Sequence, residues 1–282
     1  MTAPVVHGTD LRQRAGKTTI LDVGDLMIGP RATAVLGPNG SGKSTLLRLL
    51  ATVNPTSDGT LSVGGVAASD QVGRAAIRRR LGYVPQRDGL PSRMRVHEYL
   101  DYVGALKEIG PDRLRRRWAA WALARVELAD HRNARIRTLS GGMQRRLTIA
   151  QSLLGGPDYL VLDEPLSSLD AEHRNRVTSL IAEFGRDATV VVATHHADEL
   201  AAVCHRVLVL DAGRIVFDGS PTSLAARGVG HVWDTDRPDP HATCRAIGPD
   251  HHRCVGPAVP DGATASEPTV ADGYLAVVRY GA

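Results

Sequence analysis

The sequence predicts an α/β fold in which buried strands alternate with helices and carry polar motifs at their ends. Three short apolar runs indicate the strands, at residues 33–36, 159–162 and 190–194. Each run leads directly into glycines, carboxylates or a histidine, whereas residues 87–156 are helix-like, with helices expected over 95–106 and 112–128. In open α/β sheets the ligands bind beyond the carboxyl ends of the strands. The three strand ends are therefore the first places to look for a site.

The first strand leads into a glycine-rich loop that reads GPNGSGKS and fits the pattern G-x-x-x-x-G-K-[ST]. Glycines allow a tight turn with the N–H groups pointing inward, and the following helix begins with unpaired N–H groups that suit phosphate. Lys43 is one of only three lysines, against 31 arginines, which fits a need for a compact ammonium group. The predicted phosphate-binding residues are Gly37, Pro38, Asn39, Gly40, Ser41, Gly42, Lys43, Ser44 and Thr45.

Two carboxylates follow the second strand, in the segment YLVLDEP. A phosphate loop of this type works with a metal-binding aspartate on a neighbouring strand. We therefore expect Asp163 to hold Mg²⁺ together with Ser44, and Glu164 to face and polarise the attacking water. Lys43 should bridge the β- and γ-phosphates.

A second glycine pair, Gly141 and Gly142, precedes a helix whose apolar residues at positions 143, 147, 150 and 154 share one face. Ser140 is the candidate N-cap of this helix. The helix start is a second potential anion-binding site, although a Ser-Gly-Gly cap alone is more often only a cap. Because the chain has one phosphate loop, this second site suggests that a phosphate bound by another molecule occupies it.

The ordered set of motifs resembles the nucleotide-binding subunits of ABC transporters, with matching motifs over residues 37–195. Leu139–Gln144 (LSGGMQ) resembles the family signature LSGGQ, with Met143 inserted before Gln144. Gln86 matches the glutamine of the Q-loop, Asp170 ends a match to the D-loop, and His195 matches the switch histidine. His196 matches no family motif and is expected on the solvated surface.

The resemblance implies a P-loop NTPase core with a mostly parallel sheet, an antiparallel β subdomain and an inserted α-helical subdomain. It implies ATP and Mg²⁺ as cofactors, with Glu164, His195 and Gln86 catalytic and with Ser44, Gln86 and Asp163 at the metal. Two such subunits, either a homodimer or this chain with a second ATPase subunit, would pack head to tail with ATP between them. Further nucleotide contacts would then come from Ser140, Gly141, Gly142, Gln144 and Asp170.

The same resemblance divides the chain into an ATP-binding domain over residues 5–228 and a C-terminal extension over 229–282. The helical subdomain, about 87–156, would receive an integral membrane permease, and the signature form favours an exporter. No apolar stretch approaches the roughly 20 residues that span a bilayer, and no signal peptide opens the chain. We expect a cytoplasmic protein held at the inner face of the membrane by its permease, and no nucleic-acid partner.

The cysteines and the C-terminal segment carry weaker signals. Three cysteines are an odd number and predict no disulfide framework. A cluster of histidines and cysteines could bind zinc, although its spacing fits no zinc-finger pattern: His241, Cys244, His251, His252 and Cys254. A loose, partly ordered tail is the expectation for residues 229–282, ending in a short helix over 270–278 that is capped by Thr269.

Two other function classes are compatible with parts of the pattern. A non-transport ABC ATPase acting on ribosomes or DNA usually has two cassettes or long heptad repeats, and neither occurs here. A GTPase would want an Asn-Lys-x-Asp motif, and the chain has no Asn-Lys pair. The adenine site is unusual, because Ala15 stands where the family places an aromatic residue and no Phe, Tyr or Trp precedes Tyr83. Arg12 and Arg14 are candidates for stacking on the base, and His7 is a poorer one.

Overall fold

The computed structural model describes residues 3, 5–195 and 197–282, which form three sheets and two groups of helices. The strands are β1 (Val6–Ala15), β2 (Thr18–Ile28), β3 (Arg31–Leu36), β4 (Asp58–Val63), β5 (Val66–Ala67), β6 (Leu81–Val84), β7 (Tyr159–Asp163), β8 (Thr189–Ala193), β9 (Arg206–Asp211), β10 (Arg214–Gly219), β11 (Val232–Thr235), β12 (Thr243–Gly248) and β13 (His251–Val255). The helices are α1 (Lys43–Leu50), α2 (Gln71–Arg80), α3 (Val96–Leu106), α4 (Asp112–Arg125), α5 (Gly141–Ser152), α6 (Ala171–Phe184), α7 (Ala197–Ala201), α8 (Pro221–Ala226) and α9 (Val270–Tyr280).

The central sheet has the strand order β10-β9-β3-β8-β7-β6, and every neighbouring pair is parallel except β10 with β9. Its middle strands are buried on both faces, as parallel strands covered by helices are. Alternate residues of β8 enter two different cores: Val190 and Val192 pack with the helices α5 and α6, while Val191 packs with α1 and the antiparallel sheet. The sheet therefore lies between two layers, and its strand ends share one edge.

The antiparallel sheet has the order β2-β1-β4-β5 and covers the α1 face. On the other side, α3, α4, α5 and two short 3-10 turns, Ala129–His131 and Ile136–Thr138, fill the segment between β6 and β7. This confirms that the fold is mixed α/β with an antiparallel sheet, and it places three helices within the segment predicted to be helix-like. Helix α4 ends at Arg125, three residues before the predicted end.

The expectation of a loose tail over residues 229–282 is wrong. Strands β11, β13 and β12 form a three-stranded antiparallel sheet, and α9 packs on α8 and on the main core. The helices α8 and α9 cross so closely that a Cβ on Gly273 would lie 1.8 Å from the carbonyl oxygen of Leu224. The predicted cap of α9 is confirmed, because Thr269 accepts a hydrogen bond from the Asp272 N–H and Asp272 caps Thr269 in return.

The expectation that the cysteines form no disulfide is also wrong. Cys244 and Cys254 are directly opposite each other on β12 and β13, with their Cα atoms 4.1 Å apart, and their sulfurs are bonded. The third cysteine, Cys204, is buried and free. The bonded pair removes two ligands from the conceivable zinc cluster, and no group of three metal-binding side chains occurs within residues 3, 5–195 and 197–282. No helix in the described part of the chain is long and apolar enough to cross a membrane.

Candidate nucleotide site

The glycine-rich loop joins β3 to α1 at the edge where the parallel strands end. Gly42, with φ near +103°, adopts a conformation that L side chains rarely take. A Cβ on Gly37 would lie 2.2 Å from the carbonyl oxygen of Leu210, so the loop fits against β9 only without a side chain there. Helix α1 has no side chain capping its N-terminus. Its first amide groups therefore lack a side-chain acceptor, as a phosphate-binding helix start requires.

Lys43 is buried beneath this loop. Its ammonium group donates hydrogen bonds to the carbonyl oxygens of Gly37 at 2.6 Å and Pro38 at 3.0 Å. Burial lowers the pKa of Lys43, while the nearby carboxylates of Glu164 and Asp163 raise it. The loop thus holds a lysine whose pKa responds to the two carboxylates that the sequence singled out.

Those carboxylates lie at the end of β7, next to β8. Asp163 pairs with Ala193 in the parallel ladder, and the Glu164 N–H donates to the carbonyl of Ala193 at 2.9 Å. Glu164 has a left-handed backbone, with φ near +52°. This strained conformation turns its side chain toward His195, whose Nδ1 lies 2.8 Å from Glu164 Oε2. The Glu164 side chain is 11% exposed and that of His195 is 64% exposed, so the pair lies at the surface of the site.

Asp163 is the strongest structural indication of a metal site. Its carboxylate is buried, and neither oxygen has a hydrogen-bond partner of normal geometry among the residues described. Burial raises the pKa of Asp163, and so does the charge of Glu164, while the adjacent Ser44 hydroxyl and Arg145 lower it. A buried carboxylate beside a serine hydroxyl is an oxygen donor set of the kind that Mg²⁺ prefers. The residues present therefore fit the predicted ion.

Gln86 follows β6, on the outer side of β7. Because Val84 pairs with Leu162, the chain after β6 runs beside Asp163. Gln86 itself is exposed. The structure thus brings together at one edge the predicted phosphate loop, both carboxylates, His195 and the Gln86 loop. His196 lies outside the described residues.

The second predicted anion site is a separate helix start. The hydroxyl of Ser140 accepts the Met143 N–H at 3.3 Å, which confirms Ser140 as the N-cap of α5. Ser140 and Gly141 are exposed, and a Cβ on Gly141 would have open space around it. Gln144 turns back, its side-chain amide donating to the Leu139 carbonyl at 3.1 Å. Ser140 and Gly141 are therefore open to an approaching molecule.

Asp170 has a local role in this subunit. It is the N-cap of α6, where its carboxylate accepts the His173 N–H at 2.9 Å and contacts the His173 ring at 2.7 Å. These hydrogen bonds lower the pKa of Asp170. A Cβ on Gly142 would lie 3.1 Å from the carbonyl of Ser168. The segment that contains Asp170 therefore packs directly against the start of α5.

The adenine candidates are engaged in ion pairs. Arg12 contacts Asp22 at 3.2 Å, and Arg14 contacts Asp58 at 3.0 Å. Ala15 ends β1 and is exposed. To stack on a base, either guanidinium would therefore have to keep its carboxylate partner beside it or first break the ion pair.

One functional candidate escaped the sequence analysis. Arg145, in the second turn of α5, is almost completely buried and bonds to the backbone of both carboxylate residues. Its only sequence signal is a position two residues after Met143 on the signature helix. A helix-face pattern does not mark it, because charged residues at such positions are normally solvated.

The fold and the site together define a P-loop ATPase. The model of the family described as "ABC transporter" matches residues 29–167. The Nod factor export ATP-binding protein I of Ralstonia nicotianae is 35% identical over 84% of this chain and 75% of that protein. The daunorubicin resistance ATP-binding protein DrrA3 of Streptomyces coeruleorubidus is 37% identical over 83% of this chain and 73% of that protein.

Solved structures agree with these relatives. A dimeric ATP-binding cassette in a post-hydrolysis state, bound to ADP and Pi, superposes with a TM-score of 0.70. It is 25% identical, and the match covers 76% of this chain and 98% of that one. The chain belongs to the ABC transporter family. It is an ATP-binding and ATP-hydrolysing subunit.

Proposed function

We propose that this chain is the ATPase subunit of an exporter and that it works as an ATP-dependent head-to-tail dimer on a separate membrane permease. One observation carries the proposal. A single sheet edge holds the predicted phosphate loop, both carboxylates and His195, whereas Ser140 and Gly141 at the start of α5 are exposed. In a head-to-tail pair, each α5 start would face the phosphate loop of the other subunit. The names of the relatives, which are export and resistance proteins, support the direction of transport.

The chemistry divides among residues of this edge. The α1 amides and Lys43 would bind the triphosphate, and Ser44 and Asp163 would hold Mg²⁺, with Gln86 beside them. Mg²⁺ supplies positive charge that neutralises the phosphate oxygens. Glu164 would act as the base that polarises the attacking water.

His195 would keep that base in place. Because an ionised Glu164 only accepts, the contact at 2.8 Å requires the proton of the His195 ring on Nδ1. The other ring nitrogen, Nε2, could then donate to a phosphate oxygen only when the ring is doubly protonated. The contact therefore fixes the tautomer of His195 and the orientation of the Glu164 carboxylate together.

A groove between the core and the helical region suits the permease. A cavity of about 430 Å³ lies beside the Gln86 loop and is lined by Tyr83, Pro85, Leu90, Tyr99 and Val103, among others. Lys107 borders it, donating to the Leu154 carbonyl at 2.7 Å. We infer that a short permease segment enters here. Movement of the Gln86 loop would then change contacts both in the groove and at the nucleotide. Recovery of a polytopic membrane protein with the tagged subunit, from membranes of its own host, checks this.

The decisive variant is Glu164→Gln. Its amide cannot polarise water, so turnover should fall roughly 100-fold or more while ATP binding is kept. Light scattering with Mg·ATP should then show a dimer that the nucleotide-free protein does not form. The double variant Glu164→Gln/Ser140→Arg should bind ATP and stay monomeric, and Ser140→Thr in the same background should still dimerise. Near-normal hydrolysis by Glu164→Gln would refute its role, and a strict monomer at high concentration would refute the head-to-tail pair.

A further inference from the structure

Arg145 joins two loops that the sequence analysis treated separately. One guanidinium nitrogen, Nη1, donates to the Pro85 carbonyl at 2.6 Å and to Asp88 Oδ1 at 2.9 Å. The other, Nη2, donates to the carbonyl oxygens of Asp163 at 2.6 Å and Glu164 at 2.7 Å. The first pair of acceptors flanks Gln86, and the second belongs to the carboxylate residues. A single side chain therefore connects the Gln86 loop to the end of β7.

Stability alone is a poor explanation for this arrangement. Arg145 is 1% exposed and forms an ion pair with Asp88. Taking a charge out of water is expensive, and well-packed apolar residues often replace buried ion pairs at no cost to the fold. The guanidinium Nε has no partner among the described residues, so the site is not fully satisfied. The planar guanidinium instead fixes the positions of its two pairs of acceptors relative to each other.

Of the four acceptors, the carbonyl oxygen of Glu164 bears on catalysis, because Glu164 carries the proposed catalytic carboxylate. Its carbonyl also accepts from the Ser167 hydroxyl at 2.9 Å. These bonds hold a residue whose backbone is left-handed, and that backbone directs the carboxylate to His195. If the peptide turned, the carboxylate would leave the position in which it contacts the histidine.

We propose that Arg145 is a positioning residue that couples the Gln86 loop to the catalytic carboxylate, with Asp88 as the contact on the loop. A shift of residues 85–88 moves two of the four acceptors of the guanidinium and so alters its hold on the Glu164 carbonyl. The start of α5 moves with it, since Arg145 lies on that helix. This inference rests on the proposed role of Glu164.

The first test separates binding from turnover. Arg145→Met keeps length and removes the fork, so kcat should fall roughly 30- to 100-fold, as expected for a misplaced catalytic group. The Kd for Mg·ATP should change less than about threefold, because Lys43 and the α1 amides are not bonded to Arg145. Arg145→Lys keeps the charge without the fork and should be impaired nearly as much.

The second test is a double-mutant cycle in kcat. Asp88→Ala should lower kcat roughly 3- to 10-fold in the wild-type background. In the Arg145→Met background the same change should have almost no effect, because the residue through which Asp88 acts is already gone. If the two substitutions acted independently, their fold-changes in kcat would instead multiply. If Arg145→Met does not fold, Arg145→Lys takes its place in the cycle.

A control is the ion pair between Arg80, the last residue of α2, and Asp158, the residue before β7. Asp158 lies just before the start of β7, at the end opposite Asp163, so Arg80→Met removes a more exposed arginine–aspartate pair away from the site. It should lower thermal stability without lowering kcat. Wild-type kcat in Arg145→Met or Arg145→Lys, or full multiplication of the two effects in the cycle, overturns the proposal. Normal turnover by Glu164→Gln would instead refute the catalytic assignment, so the two failures are distinguishable.

Discussion

The starts of α1 and α5 are alike in sequence and different in structure. Both helices begin after glycines, and both could offer backbone N–H groups to an anion. The α1 start is enclosed, has no side-chain cap and lies over a buried lysine that faces two carboxylates. The α5 start is exposed and already capped by Ser140. A helix end suits phosphate when charge and enclosure surround it, so of these two helix starts only that of α1 suits one within a single chain.

The largest effect should come from removing the charge at α1. Lys43→Ala deletes an ammonium group that would bond to the phosphates, and a hydrogen bond to a charged group contributes about 1.5–3 kcal/mol. ATP affinity should therefore fall roughly 10- to 150-fold. Titration with a fluorescent ATP analogue measures it. Lys107→Ala removes a half-buried lysine outside the loop and should leave the affinity unchanged. Equal losses in both variants would mean that the effect is general destabilisation.

The nucleobase should contribute little beside the α1 contacts. Ala15 offers no aromatic face, and Arg12 and Arg14 are held by Asp22 and Asp58. We predict that ATP and GTP bind within about tenfold of each other, or roughly 1.4 kcal/mol. Ala15→Tyr should tighten ATP binding, since stacking on one aromatic ring contributes roughly 1–3 kcal/mol.

Competition binding with both nucleotides measures this, and Ala15→Leu is the control for added bulk without an aromatic ring. Strong selectivity for ATP in the unmodified chain would show that another group recognises adenine. An Ala15→Tyr variant that binds no better than Ala15→Leu would place the base away from the turn between β1 and β2.

Much of the ATP-binding core could be predicted because its signals are local. The apolar runs at residues 33–36 and 159–162 became β3 and β7, and the cap at Ser140 needed only the residues around it. The C-terminal sheet could not be predicted in the same way. Strand β12 is exposed or half-exposed along its whole length, so it has no apolar alternation that would indicate a strand. Its pairing with β13, and with it the disulfide, depends on tertiary contacts.

Arg145 shows a different limit of sequence analysis. Its acceptors are 18 to 60 residues away along the chain, and three of the four are backbone carbonyls, which have no sequence signature. The neighbouring Arg146 has a similar local context but donates to the carbonyls of Val126 and Glu127, away from the carboxylates. Two adjacent arginines on one helix thus have separate roles that only the packing of α5 distinguishes.

The smallest effect concerns the cap that distinguishes α5 from α1. Ser140→Ala removes the acceptor for the Met143 N–H and should lower the free energy of unfolding by about 1 kcal/mol, a typical cost for losing an N-cap. Urea unfolding measures this loss, and Ser140→Thr, which keeps a capping hydroxyl, should recover most of it. Because the proposed dimer has the start of α5 facing the phosphate loop of the other subunit, ATP affinity of the monomer should stay as in the wild type. A monomer of Ser140→Ala that binds ATP more weakly would show that both helix starts act on one nucleotide in one chain, and the contrast between them would fail.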